Sequence, residues 1–160
     1  MLEKAIDTDL LTKNTAKQIV TDLDKKEKKE RRVLTIGETK QFLTQADGTF
    51  YYNLFVLALE TGMRIGELCG LQWEDVDLKN KMLFVNHTLC YFSNDGKYIF
   101  EMHDTKTNNG KRTIPLTERA IRALKRQKIQ KQEIRIKGKA APEGYEDLVF
   151  VTKNNKPTQQ

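Results

Sequence analysis

The sequence predicts an α+β fold, mainly helical, with a small three-stranded antiparallel sheet and no closing helices at its C-terminal end. Three observations carry that prediction. Apolar residues recur at helical spacing before residue 70, and a capped helical segment follows residue 117. Between them lie three short runs rich in β-branched and aromatic residues, separated by turn-forming clusters. The chain of 160 residues and 18.6 kDa then stops after a polar stretch, TKNNKPTQQ, that reaches no further element. Segregated helices and antiparallel strands make an α+β domain rather than an alternating α/β one.

The elements follow in order. Residues 1–24 place Ala5, Ile6, Leu10, Leu11, Ala16, Ile19, Val20 and Leu23 at roughly helical intervals. This segment is too short for a core of its own and is expected to be the tail of an upstream helical domain. Residues 25–33 lack apolar periodicity and form a basic linker. Residues 34–160 make the main domain. Thr35 and Glu38 fit a capping box opening a helix over about Ile36–Ala46, with Phe42 and Leu43 inward; Asp47-Gly48 ends it. Phe50–Thr61 is nearly all apolar, long enough for a buried helix, and Gly62 supplies the left-handed residue at its end. A short helix from Arg64 to Cys69 turns Ile65, Leu68 and Cys69 inward, and Trp73 and Val76 sit in the turn-rich stretch after it. Strands are expected at Met82–Val85, Thr88–Phe92 and Lys97–Met102, and a short edge strand at Arg112–Leu116, where Pro115 lacks a donor. Thr117 caps a basic helix to about Gln132, and Leu148–Val151 is extended.

Composition excludes several classes. No apolar run approaches the ~20 residues that span a bilayer, and the N-terminus has no secretory pattern. Two cysteines, Cys69 and Cys90, stand without CxxC or Cys/His spacing, so neither a disulfide scaffold nor a structural metal site is expected, and a cytoplasmic location fits. Gly-rich phosphate loops are absent, against a nucleotide enzyme. Net charge is +6 and mean hydropathy −0.64. The charge is segregated: residues 25–32 hold six basic and two acidic residues, and residues 104–139 hold twelve basic and three acidic, leaving −7 for the rest. A basic surface of this kind suits a polyanionic partner.

Two windows concentrate the chemistry. In TGMRIGELCGLQWEDVDL, residues 61–78, Arg64 opens a helix just after a glycine, where a planar fork can grip an anion. Glu67 follows on the same face and can fix the guanidinium. Alone, this pair reads first as an ion pair that closes the helix. In DTKTNNGKRTIPL, residues 104–116, Lys106 sits in a polar turn from which an ammonium can approach a phosphate; alone, the turn reads first as a solvated hairpin tip.

Together the windows resemble the catalytic domain of the tyrosine recombinase (phage integrase) family, over about residues 33–151. Arg64, Glu67, Leu68, Leu71, Trp73, Asp75, Val76 and Asp77 fall on its T-G-x-R-x-x-E-L-x-x-L-x-W-x-D-[IV]-D block; Lys106, Arg112, Ile114, Pro115 and Leu116 fall on its lysine turn and following strand. The local flavour is that of integrases of conjugative transposons and temperate phages. The resemblance implies a fold of the DNA breaking–rejoining type and site-specific recombination through a 3′-phosphotyrosyl intermediate. It implies Arg64 as a catalytic arginine, Lys106 as the general acid and Glu67 as the group that orients Arg64. It also implies double-stranded DNA and further recombinase protomers as partners, with no metal or small-molecule cofactor. Lys25, Lys26, Lys28, Lys29, Arg31, Arg32, Lys111 and Arg112 are then candidates for DNA contacts; Arg119, Arg122, Lys125 and Arg126 are weaker ones. The family's H-x-x-R block and late nucleophilic Tyr have no counterpart here. His87 and His103 precede the lysine turn, and Tyr51, Tyr52, Tyr91, Tyr98 and Tyr145 all come too early. The chain therefore reads as a recombinase fragment that is inactive alone, with exposed core surface; a non-catalytic DNA-binding module is the alternative, and a domain with no nucleic-acid partner a distant third.

Overall fold

The structure is a computed structural model. It describes residue 12 and residues 32–94, 97–104 and 110–158. The predicted helical tail apart from Thr12, together with Lys25, Lys26, Lys28, Lys29, Arg31 and Lys106, lies outside the described residues. The chain divides into a unit of residues 1–35 and a unit of residues 36–160, and the elements that follow belong to the second.

Helix α1 spans Ile36–Ala46 and buries Leu43 and Ala46. It ends where Gly48 takes φ +76° and donates its N–H to Asp47 Oδ1 at 3.1 Å. Phe42, expected inward, is 39% exposed and meets Phe55 edge-on at 5.2 Å. Helix α2 spans Tyr52–Thr61. Leu54 and Leu57 enter the main core, while Val56 joins Leu43 and Ala123 in a second apolar cluster. Gly62 closes α2 at φ 63° with its N–H on Ala58 O, as the sequence predicts. Helix α3 is the five-residue Ile65–Cys69, followed by a 3₁₀ turn at Trp73–Asp75. Of the three residues expected inward, Leu68 and Cys69 are buried but Ile65 is not: it is 48% exposed.

Among the described residues five strands follow: β1 Val76–Asp77, β2 Met82–Val85, β3 His87–Asn94, β4 Lys97–Asp104 and β5 Arg112–Pro115. A three-stranded antiparallel sheet is present, in the order β1-β2-β5, with β3 and β4 forming a separate antiparallel hairpin. The expected grouping of the three consecutive runs is thus replaced. The break falls at Asn86, which leaves the ladder and donates its amide to the buried Asp75 Oδ1 at 2.6 Å. Pro115 lies on an edge strand, where its missing donor costs no ladder bond.

Helix α4 spans Glu118–Ile136, capped by Thr117 Oγ1, which accepts from Ala120 N at 3.1 Å. It runs a turn beyond the predicted end. Its buried face continues through polar residues, Gln127 and Lys131, before Ile134. The core gathers Leu54, Leu57, Leu68, Leu83, Val85, Leu124 and Val149 between helices and sheet. Each fully buried Leu contributes roughly 2 kcal/mol of transfer free energy. The Leu148–Val151 stretch is buried but, against the expectation, not extended throughout: it bends at Val149 and Phe150 between isolated bridges of Leu148 to Gln72 and Val151 to Pro157, and Val149 donates to Leu71 O at 2.8 Å. This places the last apolar residues against the loop that follows α3.

Candidate functional site

The left-handed turn at Gly62 lets the chain leave α2 and start α3 two residues later, with Arg64 in extended backbone (φ −68°, ψ 152°) at the N-cap. Glu67 is the third helical residue. Its Oε2 accepts the Arg64 backbone N–H at 2.8 Å, which satisfies one donor that the helix leaves open. Its Oε1 accepts Arg64 Nη1 at 3.0 Å. The same carboxylate is clasped from the other side. Arg112, the first residue of β5, donates Nη1 to Oε1 at 2.9 Å and Nη2 to Oε2 at 2.7 Å. Four charge-assisted bonds therefore fall on a side chain that is only 3% exposed.

The electrostatics follow from that geometry. The Arg112 fork holds the Glu67 carboxyl down at about 2, against burial, which pushes it up; the Arg64 backbone and side chain add to the lowering. The Arg112 guanidinium is in turn raised by its bonds to Glu67. Two guanidiniums share one carboxylate, so the cluster keeps one net positive charge. The side chain of Arg64 is 80% exposed against 33% for Arg112, so that surplus is presented to solvent by Arg64. One carboxylate fixes Arg64 from below while leaving its outer donors open.

Arg64 and Glu67 are thus brought together as the sequence predicts. Arg112 is adjacent, but the bidentate edge of its fork is committed to Glu67 rather than turned outward to a phosphate. Lys111 and Arg32 are exposed. The clamp by Arg112 is what sequence reasoning missed. A signal existed: an acid beside an apolar helix face with a single i+3 arginine is under-compensated once buried, so a second cation was required from elsewhere. His87 lies at the open end of the hairpin with Nδ1 3.1 Å from Asp104 Oδ1, and His103 Nε2 is 3.2 Å from Glu101. Tyr145 donates its O–H to Phe100 O at 2.7 Å, and the Tyr91 ring packs on Phe100, so both serve the hairpin. Burial pushes the Cys69 thiol up to about 11, which makes it an inert core residue. Among the described residues no group of three His, Cys, Asp or Glu side chains could hold a metal ion, and no helix is long and apolar enough to cross a membrane.

Comparison with known proteins gives a consistent picture. The model of the "Phage integrase family" matches residues 11–160. The transposase from transposon Tn916 of Enterococcus faecalis is 30% identical over 131 residues, which cover 79% of this chain and 31% of that protein. A XerC-like tyrosine recombinase of Caldanaerobacter subterraneus subsp. tengcongensis is 34% identical over 142 residues, covering 83% of this chain and 36% of the relative. Among solved structures, the Tn1549 transposon integrase in complex with transposon right-end DNA superposes with a TM-score of 0.78 at 28% identity, over 98% of this chain and 49% of that one. The XerA recombinase shares the fold, with a TM-score of 0.57 at 20% identity. The chain spans about a third of the length of these curated relatives and about half of the Tn1549 integrase chain.

Proposed function

Since the chain belongs to the phage integrase family, we propose that it supplies the first part of a tyrosine recombinase catalytic domain, acting on double-stranded DNA within an assembly of recombinase protomers. The observation that carries this reading is an exposed guanidinium, Arg64, mounted on a buried carboxylate that a second arginine locks in place. In the complete enzyme a tyrosine attacks a DNA phosphodiester, forming a 3′-phosphotyrosyl bond and releasing a 5′-oxygen. Negative charge grows on the non-bridging oxygens of the phosphorane. Arg64 meets that charge with donors already oriented, so little reorganisation is needed at the moment of reaction. Glu67 holds Arg64, and Arg112 keeps Glu67 ionised and in register. Lys106 protonates the leaving oxygen as general acid. The basic residues Lys25, Lys26, Lys28, Lys29, Arg31, Arg32 and Lys111 add backbone contacts that give affinity and salt dependence rather than sequence choice.

The test is duplex binding by these 160 residues, read by fluorescence anisotropy over a salt series. Arg64→Ala is expected to weaken binding and to lower the slope of log K against log salt by about one contact. An unchanged affinity and slope would reduce Arg64–Glu67 to a helix-closing pair. Suicide DNA substrates provide the second arm. No covalent protein–DNA species is expected, since none of the five tyrosines follows the lysine turn except Tyr145, whose hydroxyl is engaged with Phe100. A covalent band would overturn the reading of this chain as lacking its nucleophile.

A further inference from the structure

A second cationic feature lies away from the Arg64 cluster. Arg119, Arg122 and Arg126 fall within roughly 60° of arc on α4, given about 100° per residue. All three line one concavity of 190 Å³, together with Tyr52, Val56 and Ala123. Two further hollows, of 380 and 500 Å³, also include Tyr52 and extend the depression along α1 and the loop before α2; they add Lys40 and Lys153 to the rim, and with them two carboxylates, Asp47 and Glu133. Its floor is the apolar cluster of Leu43, Val56 and Ala123, separate from the main core. Glu67, Arg64 and Arg112 line none of it.

Among the described residues the cations here outnumber the acids: five basic side chains line the three hollows against two carboxylates, Asp47 and Glu133. Among the described residues, Arg122 and Arg126 form no ion pair, and Arg119 reaches Glu60 only at 3.6 Å. The Tyr52 hydroxyl has no hydrogen-bond partner among them either. Three like charges converging on one hollow repel each other unless an anion sits between them. The groove is elongated and its base is aliphatic. A sugar–phosphate backbone would use the guanidiniums and leave that base uncovered. A peptide segment carrying carboxylates and apolar side chains would use both, and Arg and Tyr are the residue types that anchor such interfaces.

We infer that the α1–α2–α4 groove is a docking surface for a short acidic peptide segment with interspersed apolar residues, contributed by a partner protein. The inference is independent of the role proposed for Arg64. The experiment is a selection of random peptides of about twelve residues, displayed on phage, against the 160-residue chain. Synthetic copies of the enriched peptides are then measured by anisotropy against two variants of matched charge change, Arg122→Glu/Arg126→Glu in the groove and Lys125→Glu/Arg135→Glu on other faces of α4. All four positions are exposed, and circular dichroism checks that both variants keep the helix. The expected result is enrichment of peptides rich in Asp and Glu with apolar residues between, a loss of at least tenfold in the groove variant, and a change within twofold in the control. No enrichment of acidic peptides, or equal losses in both variants, would overturn the proposal. So would a duplex of about twenty base pairs whose affinity falls selectively in the groove variant, since the arginines would then face nucleic acid.

Discussion

Removing the charge of Glu67 by Glu67→Gln is expected to cost stability in a way that depends on pH. The Arg112 fork holds the carboxyl at about 2 rather than the ordinary 4.5, and its side chain is only 3% exposed. At 1.36 kcal/mol per unit this is about 3 kcal/mol of native-state stabilisation at pH 7. A lowered carboxyl pKa stabilises the fold above the unfolded value and loses that contribution as pH falls toward the folded one. The difference between wild type and Glu67→Gln should therefore be about 3 kcal/mol at neutral pH and shrink to roughly 1 kcal/mol near pH 3. Urea denaturation of both proteins at pH 7, 5, 4 and 3 measures it. Subtracting the two curves cancels carboxylates common to both, including Asp77 and Glu118, which are also lowered. A difference that stays flat across this range would mean that Glu67 is not held by the two arginines in solution, and the argument for a locked Arg64 would fail with it.

Three further outcomes can be checked with the same denaturation assay. Gly70 has an ordinary φ of −90°, but a Cβ there would lie 2.7 Å from Leu89 N and 3.1 Å from the Thr88 carbonyl carbon; Gly70→Ala should destabilise by about 1–3 kcal/mol through separation of α3 from β3. Lys131 donates to the carbonyls of Glu146 and Leu148, and burial holds its ammonium down at about 8. Lys131→Met should cost about 1–3 kcal/mol by orphaning those acceptors. Because a lowered lysine pKa penalises the charged folded state, wild type should gain on Lys131→Met as pH rises from 8 toward 10.5, and a cost that falls over that interval would contradict the assignment. Thr117→Ala, which deletes the α4 cap, should cost about 1 kcal/mol, and an unchanged midpoint would show that the cap is redundant.

The helices were legible because their signals are local. The bounds of α1, the Gly62 terminator and the Thr117 cap all depend on residues within one turn of one another. The Arg64–Glu67 pair is legible for the same reason, three residues apart on one helix. What could not be read locally was the partner 45 residues away. From its neighbours alone Arg112 is a candidate DNA contact beside a polar turn, and only tertiary pairing of β2 with β5 delivers it to Glu67. The strand grouping failed for a related reason. Alternating apolar runs announce strands but not which edges meet, and the departure at Asn86 depends on a buried Asp75 that the pattern alone does not mark as an acceptor. Periodicity marks the second half of α4 poorly because its inward residues, Gln127 and Lys131, are polar by composition yet buried by position.

Those inward polar residues also settle a question of translation along the helix axis. An apolar stripe repeats every turn, so a helix sliding by ~5.4 Å on an oily surface finds almost the same contacts again. Gln127 bridges Asn53 and the carbonyl of Val149, Gln130 bridges Asn53 and the carbonyl of Phe50, and Lys131 takes the carbonyls of Glu146 and Leu148. Each partner exists at one height only. A slip of one turn would strand every one of these donors in a dry seam at once, so α4 has a single axial setting, and the β5 strand leading into it inherits that setting.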